Sequence, residues 1–532
     1  MTSGATAIPS SDVQSQPAPT PPASRRGGSL AASALSNWVW YLVVLASGFL
    51  LPPLIDRRYG REILGIWDLG WSLIFYINLL TLGIGSAVNR FVARCRAAED
   101  WPGLNAAASS ALLVLSASSA IGLILAVVFA LWAPDTLPNL GAAERGLCRQ
   151  FILLLGVNAA LQLPEGVFNG VITGYERFTL LNVIRGARDT ALLFVMVGLL
   201  LAGGGILALA WSLLISELGC FLVTIFVARR VCPTLQIAMR HCGAATVRQV
   251  MNFAGKTVAQ ELARSGLYQV NSQIVASLLG PAALAVYARP RALVMHLMRF
   301  VKQYAQVFVP KSSALDARAD KPALQRLLIQ STRYGVYLAL PPTLYLLVLG
   351  DLVLHVWMGP SYRVPAVMIV LAAGHLLSIP QMGVYAILMG MARHGRTATL
   401  ELVSAGISVG LGILLVGVFK MGLLGAAIAV AAPLAFTSGI LVPLYACGVV
   451  GLRFDDYARQ VAFAPILLNL PLLGVLLIVR RMLGESPGLS LLVGVAAGGV
   501  LTTIVYYYRV LPATMRQAIV ARLVRRGRTA AS

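Results

Sequence analysis

Long apolar runs, each bounded by glycine, proline or charge, recur along nearly the whole chain beyond its first thirty residues. A bilayer core about 30 Å thick asks for about 20 apolar residues per spanning helix. Windows of that kind predict helices near 33–55, 63–91, 106–132, 149–173, 178–202 and 205–228. A second set follows near 249–279, 282–310, 328–350, 365–391, 396–418 and 421–447, with a further pair near 459–481 and 487–509. The expected fold is all-α, an integral membrane protein of about fourteen transmembrane helices. The expected organisation is a disordered tail (1–32), a six-helix bundle (33–230), a basic linker (231–248), a second six-helix bundle (249–448), an extra helix pair (449–510) and a basic tail (511–532).

Composition sharpens this picture. Of 532 residues 58% are hydrophobic and 12% charged, about half the charge of a soluble domain. No polar stretch after the tail is long enough to fold alone, which excludes a large soluble catalytic or ATP-binding domain. The net charge of +22 would suit nucleic acid if it formed a stripe, but the arginines punctuate apolar runs instead, so no nucleic-acid partner is expected. With the amino terminus in the cytoplasm, roughly 26 basic residues fall inside against about 9 outside, as the positive-inside rule demands, and both termini are then cytoplasmic. The basic C-terminal tail is expected to lie on anionic lipid. The N-terminal segment has no apolar core of a cleaved signal. The six cysteines show no metal-binding spacing, so no metal or cofactor is expected and they read as free thiols.

Sliding the chain on itself by roughly 220 residues pairs the two halves. GREILGIWDLGWSLIFYINLL from Gly60 aligns without a gap on GPAALAVYARPRALVMHLMRF from Gly280, and Asp100 falls on Asp320. Two related bundles are a transporter architecture, because one half can rock against the other around a midplane site.

The polar residues inside the spans point to the same place. On the seventh expected helix Lys256, Gln260, Arg264 and Asn271 share a sector of about 80°. On the eighth Arg289, His296, Arg299, Gln303 and Gln306 share about 100°, with Arg291 and Lys302 on another face. Glu261 is the one acid on these two helices, so local pairing cannot neutralise the cations. Intramembrane charge normally faces protein or a water-filled cavity, and a cationic cavity invites an anion; arginine matches phosphate bidentately. Arg264, Arg289 and Arg299 are the expected phosphate or acidic-sugar contacts, with His296 beside them. Lys256 and Arg185 are expected at the inner entry, and Asn271 and Gln303 as hydrogen-bonding partners of sugar. Asp68, Glu165 and Glu217 are candidates for ion coupling, Asp189 reads as an ion pair with Arg188 or Arg185, Glu401 is a further acid within a span, and His375 with Pro380 marks a bend or a core histidine. Gly406 with Gly410, and Gly494 with Gly498, carry the spacing of close helix packing. The Walker-like Ala254–Thr257 lacks its opening glycine, and no nucleophile elbow or zinc-protease motif occurs, so an enzyme is not expected.

Several segments resemble polysaccharide flippases. Leu64 to Arg94 (LGIWDLGWSLIFYINLLTLGIGSAVNRFVAR) is similar to their second helix; LLGPAALAVYARPRALV, Val309 to Lys311, LHVWMGPSY from Leu354, AILMGMARHG from Ala386 and KMGLLGAAIAV from Lys420 follow in the family's order. The resemblance, over about 30 to 450, is to the polysaccharide transporter branch of the multidrug/oligosaccharidyl-lipid/polysaccharide (MOP) exporter superfamily. It implies a V-shaped pair of bundles in the bacterial inner membrane. The implied role is to flip an undecaprenyl-pyrophosphate-linked oligosaccharide, an exopolysaccharide or O-antigen repeat unit, from the cytoplasmic to the periplasmic leaflet by alternating access. Polysaccharide polymerase and export machinery would be its partners. Two relatives are alternatives. Multidrug cation antiporters hold their ligands with acids, whereas this chain has no acid in helix one before Asp56. Lipid II flippases typically carry charge within helix one, where this chain reads NWVWYLVVLASGFLLPPLI.

Overall fold

The computed structural model describes residues 26–81, 84–138, 140–244, 246–248, 251, 269–511, 513–514 and 516–517. Lys256, Gln260, Glu261 and Arg264 lie outside the described residues.

The first half consists of α1 (Arg26–Tyr59), α2 (Arg61–Leu79), α3 (Ile84–Ala97), α4 (Trp101–Trp132), α5 (Ala142–Gly174), α6 (Phe178–Leu201) and α7 (Ile206–Val231). The second contains a helical segment at 269–279, then α8 (Pro281–Ala305), α9 (Phe308–Ala317) and α10 (Lys321–Met358). Next come α11 (Pro365–Gly390), α12 (Gly395–Val418) and α13 (Gly422–Val450), and after them the extra pair α14 (Phe454–Leu483) and α15 (Pro487–Arg509). The described residues form helices and turns without a strand.

Among the described residues nine helices are long and apolar enough to cross a membrane, and most of the helix expected near 249–279 lies outside the described residues. Part of the difference from the fourteen expected has a physical reason. α2, α6 and α8 are not among the nine, and they are the helices that carry Asp68, the Arg185–Arg188–Asp189 group and Arg289, Arg291, Arg299 and Lys302. Helices that spend polar residues on one another fail a test of apolarity. Two expected helices are also broken: 63–91 becomes α2 and α3, and 282–310 becomes α8 and α9.

The repeat is written in the backbone. Gly60 (φ 86°, ψ 172°) precedes α2 and Gly280 (φ 92°, ψ 167°) precedes α8, a left-handed conformation that favours glycine. Asp100 caps α4 by accepting the Gly103 amide at 2.8 Å, and Asp320 caps α10 by accepting the Ala323 amide at 3.0 Å, each with a proline in the first turn. Each cap follows a residue with positive φ, Glu99 at 55° and Ala319 at 53°. Both short helices, α3 and α9, are thus turned by the same device into the long helix that follows.

Within the first half α4 packs on α5, α5 on α7 and α1 on α6; within the second α11 packs on α13. The halves join where α2 packs on α8. A Cβ on Gly65 would fall 1.9 Å from the Pro281 carbonyl oxygen, so only glycine admits this approach. Buried Ile66 and Leu69 of α2 and Leu284 and Tyr287 of α8 belong to one continuous core.

The extra pair docks on α10. Arg480 of α14 donates to Asp351 at 2.6 Å and to the Val348 carbonyl, while Arg363 donates to the other Asp351 oxygen at 2.9 Å. Gly494 and Gly498 face α10, where added Cβ atoms would meet Leu349 and Tyr345, so their packing role holds. For Gly406 and Gly410, nothing among the described residues lies within 4 Å of a Cβ built there. All six cysteines are free. Pro380 does mark a bend, a short 3-10 segment at Ile379–Gln381 inside α11. His375 is a core histidine, 1% exposed, donating from Nδ1 to the Leu371 carbonyl at 2.8 Å.

Candidate functional site

α2 and α8 touch at their first turns and leave a cavity of about 420 Å³ beyond. Phe75 of α2 contributes one wall, and Met298, Arg299, Lys302 and Gln306 of α8 contribute the opposite one. The second half closes it with Gln269, Glu401, Ser404, Ser408, Thr437 and Ser438. Among the described residues the charged lining is two cations and one carboxylate, and most other polar groups are hydroxyls and amides, suited to sugar. A π-helical turn at Thr437–Leu441 interrupts α13 where Thr437 and Ser438 meet the cavity; such turns often accompany function.

Arg299 lines the cavity as its sequence position suggests. Lys302 also lines it, although helical phase puts it on another face; Gln306, from the polar sector, lines it too, whereas Gln303 is exposed and is not in the lining. Asn271 is fully buried and donates to Ser408 Oγ at 2.9 Å. It fastens segment 269–279 to α12 and does not line the cavity. Arg185 is half-buried on α6 outside the cavity lining.

Arg289 is buried, 4% exposed, and its guanidinium pairs with Asp68 of α2 across the joint between the halves. It is therefore part of the seam and not of the open cavity. His296 is drawn into the same seam, its ring stacked on Phe49 of α1 at 5.4 Å. Trp357 of α10 donates from Nε1 to the Phe49 carbonyl at 2.7 Å. Where the seam reaches the Gly60 end, Tyr362 donates to Asp56 at 2.6 Å and Arg61 lies 5.4 Å over the Tyr362 ring. Burial, reinforced by the Asp56 carboxylate, holds the Tyr362 phenol above its ordinary range, so it remains the donor at neutral pH. These partners lie far apart in sequence, and no local pattern announces them.

A second ionic cluster sits inside the first half. Glu217 of α7, 2% exposed, accepts from Arg188 Nη1 at 2.6 Å and from Gln162 at 3.3 Å. Arg188 also donates to Asp189 at 2.9 Å, the ion pair expected from sequence. Glu165 of α5, 5% exposed, accepts from Thr224 at 3.2 Å. The carboxyls of Glu165 and Glu217 stand within hydrogen-bonding reach of one another. Glu217 Oε1 has no hydrogen-bond donor among the described residues. Among the described residues Arg188 pairs with both Glu217 and Asp189.

A family profile described as polysaccharide biosynthesis protein matches residues 107–367. The uncharacterized membrane protein EpsK of Bacillus subtilis (strain 168) is 22% identical over 437 residues, 80% of this chain and 85% of that protein. Among solved structures, the lipid II flippase MurJ in an inward closed conformation superposes with a TM-score of 0.67 at 12% identity, covering 90% of this chain and 98% of that one. An inward-facing multidrug resistance MATE family transporter of the MOP superfamily gives 0.64 at 15% identity, covering 80% and 98%. A MOP superfamily transporter from Pyrococcus furiosus, whose binding pocket is described as reversed in polarity, gives 0.55 at 16%, covering 79% and 94%. The chain is thus similar to polysaccharide biosynthesis proteins over residues 107–367, and it shares its fold with solved transporters of the MOP superfamily.

Proposed function

We propose that the protein is a flippase for a polyprenyl-pyrophosphate-linked oligosaccharide, carried from the cytoplasmic to the periplasmic leaflet of a bacterial inner membrane. The observation that carries this reading is the cavity beside the seam, with Arg299 and Lys302 in its wall. Its size is in the range of small-ligand sites, enough for a diphosphate and the first sugars. The lipid tail stays in the bilayer while the headgroup crosses between the halves. Both termini then face the cytoplasm, and the closed Gly60 end of the seam faces the periplasm. Polymerase and export machinery would receive the product. Arg264 and Lys256 remain proposed contacts on the same reading.

Coupling to an ion gradient fits the first-half cluster better than the seam. Two buried carboxyls, Glu165 and Glu217, lie near each other beside Arg188, and a proton or sodium ion would offset the negative charge they share.

Lipid II is the second reading. It is favoured by the larger share of this chain, 90%, that superposes on the lipid II flippase structure. A cationic drug fits poorly, since the charged lining is positive by one. Proteoliposomes test all three: the pyrophosphate-linked oligosaccharide lipid is expected to move, and movement of lipid II alone or a cationic dye alone would reassign the substrate.

A further inference from the structure

α8 carries cations at two depths. Arg299 and Lys302 face the cavity. Arg289 lies ten residues nearer the start of the helix, about 15 Å along its axis at 1.5 Å per residue. There it is buried against Asp68. An anion that leaves the cavity towards the closed end meets Arg289 next, and meets it already occupied.

The occupation is incomplete. Asp68 offers one negative charge, while Arg289 and the nearby Arg291 both act on it. Arg291 donates to Ser272 at 2.7 Å. Arg289 Nε, in a side chain more than nine-tenths buried, has no hydrogen-bond partner among the described residues. A guanidinium presents donors in a fork that two phosphate oxygens fill together. A diphosphate carries more charge than one carboxylate and can satisfy the fork.

We infer that Arg289 is a latent diphosphate-binding site, that Asp68 occupies it in this closed state, and that exchange of Asp68 for the substrate's diphosphate unlatches the seam. The inference rests on the flippase reading above and gives it a physical trigger. Pulling Asp68 away alone leaves a buried guanidinium unpaired, which is costly. Delivering an anion to Arg289 removes that cost, so the seam parts when a substrate is in place. A carboxylate and a diphosphate competing for one guanidinium are a two-state element with differential affinity, which ligand-driven opening requires. The Asp56–Tyr362 and Trp357–Phe49 contacts hold the same seam without charge exchange and follow once Arg289 lets go.

The test uses the full chain in nanodiscs, with spin-labelled non-canonical amino acids at positions 57 and 361. Both positions are exposed and lie on opposite sides of the closed end. Inorganic pyrophosphate is the probe and acetate the control. Pyrophosphate is expected to shift at least a fifth of the population to longer label distances, and acetate to leave the distribution in place. Asp68→Asn is expected to produce the long-distance population without any anion. The exchanged pair, Asp68→Arg with Arg289→Asp, restores a seam ion pair but moves the cation to α2. It is expected to stay closed with pyrophosphate and to lose transport of the oligosaccharide lipid at least tenfold. An unchanged distribution in the native protein with saturating pyrophosphate overturns the latch. So does an exchanged pair that responds and transports as the native protein does. Failure of the native protein to move any pyrophosphate-linked lipid, with the distance shift intact, overturns the flippase reading and leaves the anion site standing.

Discussion

Two buried ionic groups, one between the halves and one inside the first half, are built from the same residue types and do different work. Asp68 and Arg289 come from α2 and α8 and hold together surfaces that alternating access must separate. Arg188 and Glu217 come from α6 and α7, which pack on each other within one half, so a rocking motion carries them as a unit. A buried ion pair is weak evidence of stability but strong evidence of cost when one partner leaves. In the seam that cost times an opening. In the bundle nothing opens, and the cluster is rich in acid: Glu165 lies near Glu217, and Arg188 bonds both Glu217 and Asp189. Position relative to the moving boundary, not residue type, separates a latch from an ion-holding cluster.

The largest effect is expected beyond the seam, in the cavity. Arg299→Ala removes an exposed cation from the lining, and a charge-assisted hydrogen bond contributes about 1.5–3 kcal/mol. Transport of the oligosaccharide lipid should fall by at least an order of magnitude with membrane abundance unchanged, measured in proteoliposomes against immunoblot levels. Glu217→Gln comes next and sharpens the contrast directly. It should abolish the response of transport to an imposed proton or sodium gradient while the 57–361 label distances still respond to pyrophosphate; a variant that loses both merges the two groups into one device. Gly65→Ala acts on the seam by sterics alone. Its Cβ would collide with the Pro281 carbonyl, so closure should weaken by about 1–3 kcal/mol, seen as a larger long-distance population without any anion. The smallest effect is expected away from both groups. Arg480→Ala leaves Asp351 with Arg363, and because Arg480 is partly exposed, screening limits the loss to about 1 kcal/mol, read as a small drop in thermal melting without loss of transport.

Part of this was legible in the sequence, and the divide has a physical basis. The repeat could be read because its marks are local: a glycine with positive φ before α2 and α8, and an aspartate cap followed by proline before α4 and α10. His375 and the Arg188–Asp189 pair were legible for the same reason, since their partners lie within a turn or one residue away. The lining was less legible. Helical phase placed Gln303 in the cavity and Lys302 outside it, whereas both Lys302 and Gln306 line it and Gln303 does not. At a uniform 100° per residue the lining positions of α8 share a sector of about 120°, so the helix is regular and the polar stripe is a neighbouring face that meets the lining at Arg299 and Gln306. Asn271 looked like a sugar contact because its helix has a polar stripe, but its partner Ser408 is 137 positions away. The Asp56–Tyr362 contact spans 306 positions, and Asp68 was readable as an acid without any sign that Arg289 opposes it.

The central claim is that this seam and cavity move a pyrophosphate-linked oligosaccharide. The most direct measurement is translocation of that lipid in proteoliposomes, beside lipid II and a cationic dye, for the native chain and Arg299→Ala. The account predicts selective movement of the oligosaccharide lipid by the native chain and at least tenfold less by the variant. Equal movement by both proteins, or movement of the dye alone, would contradict it.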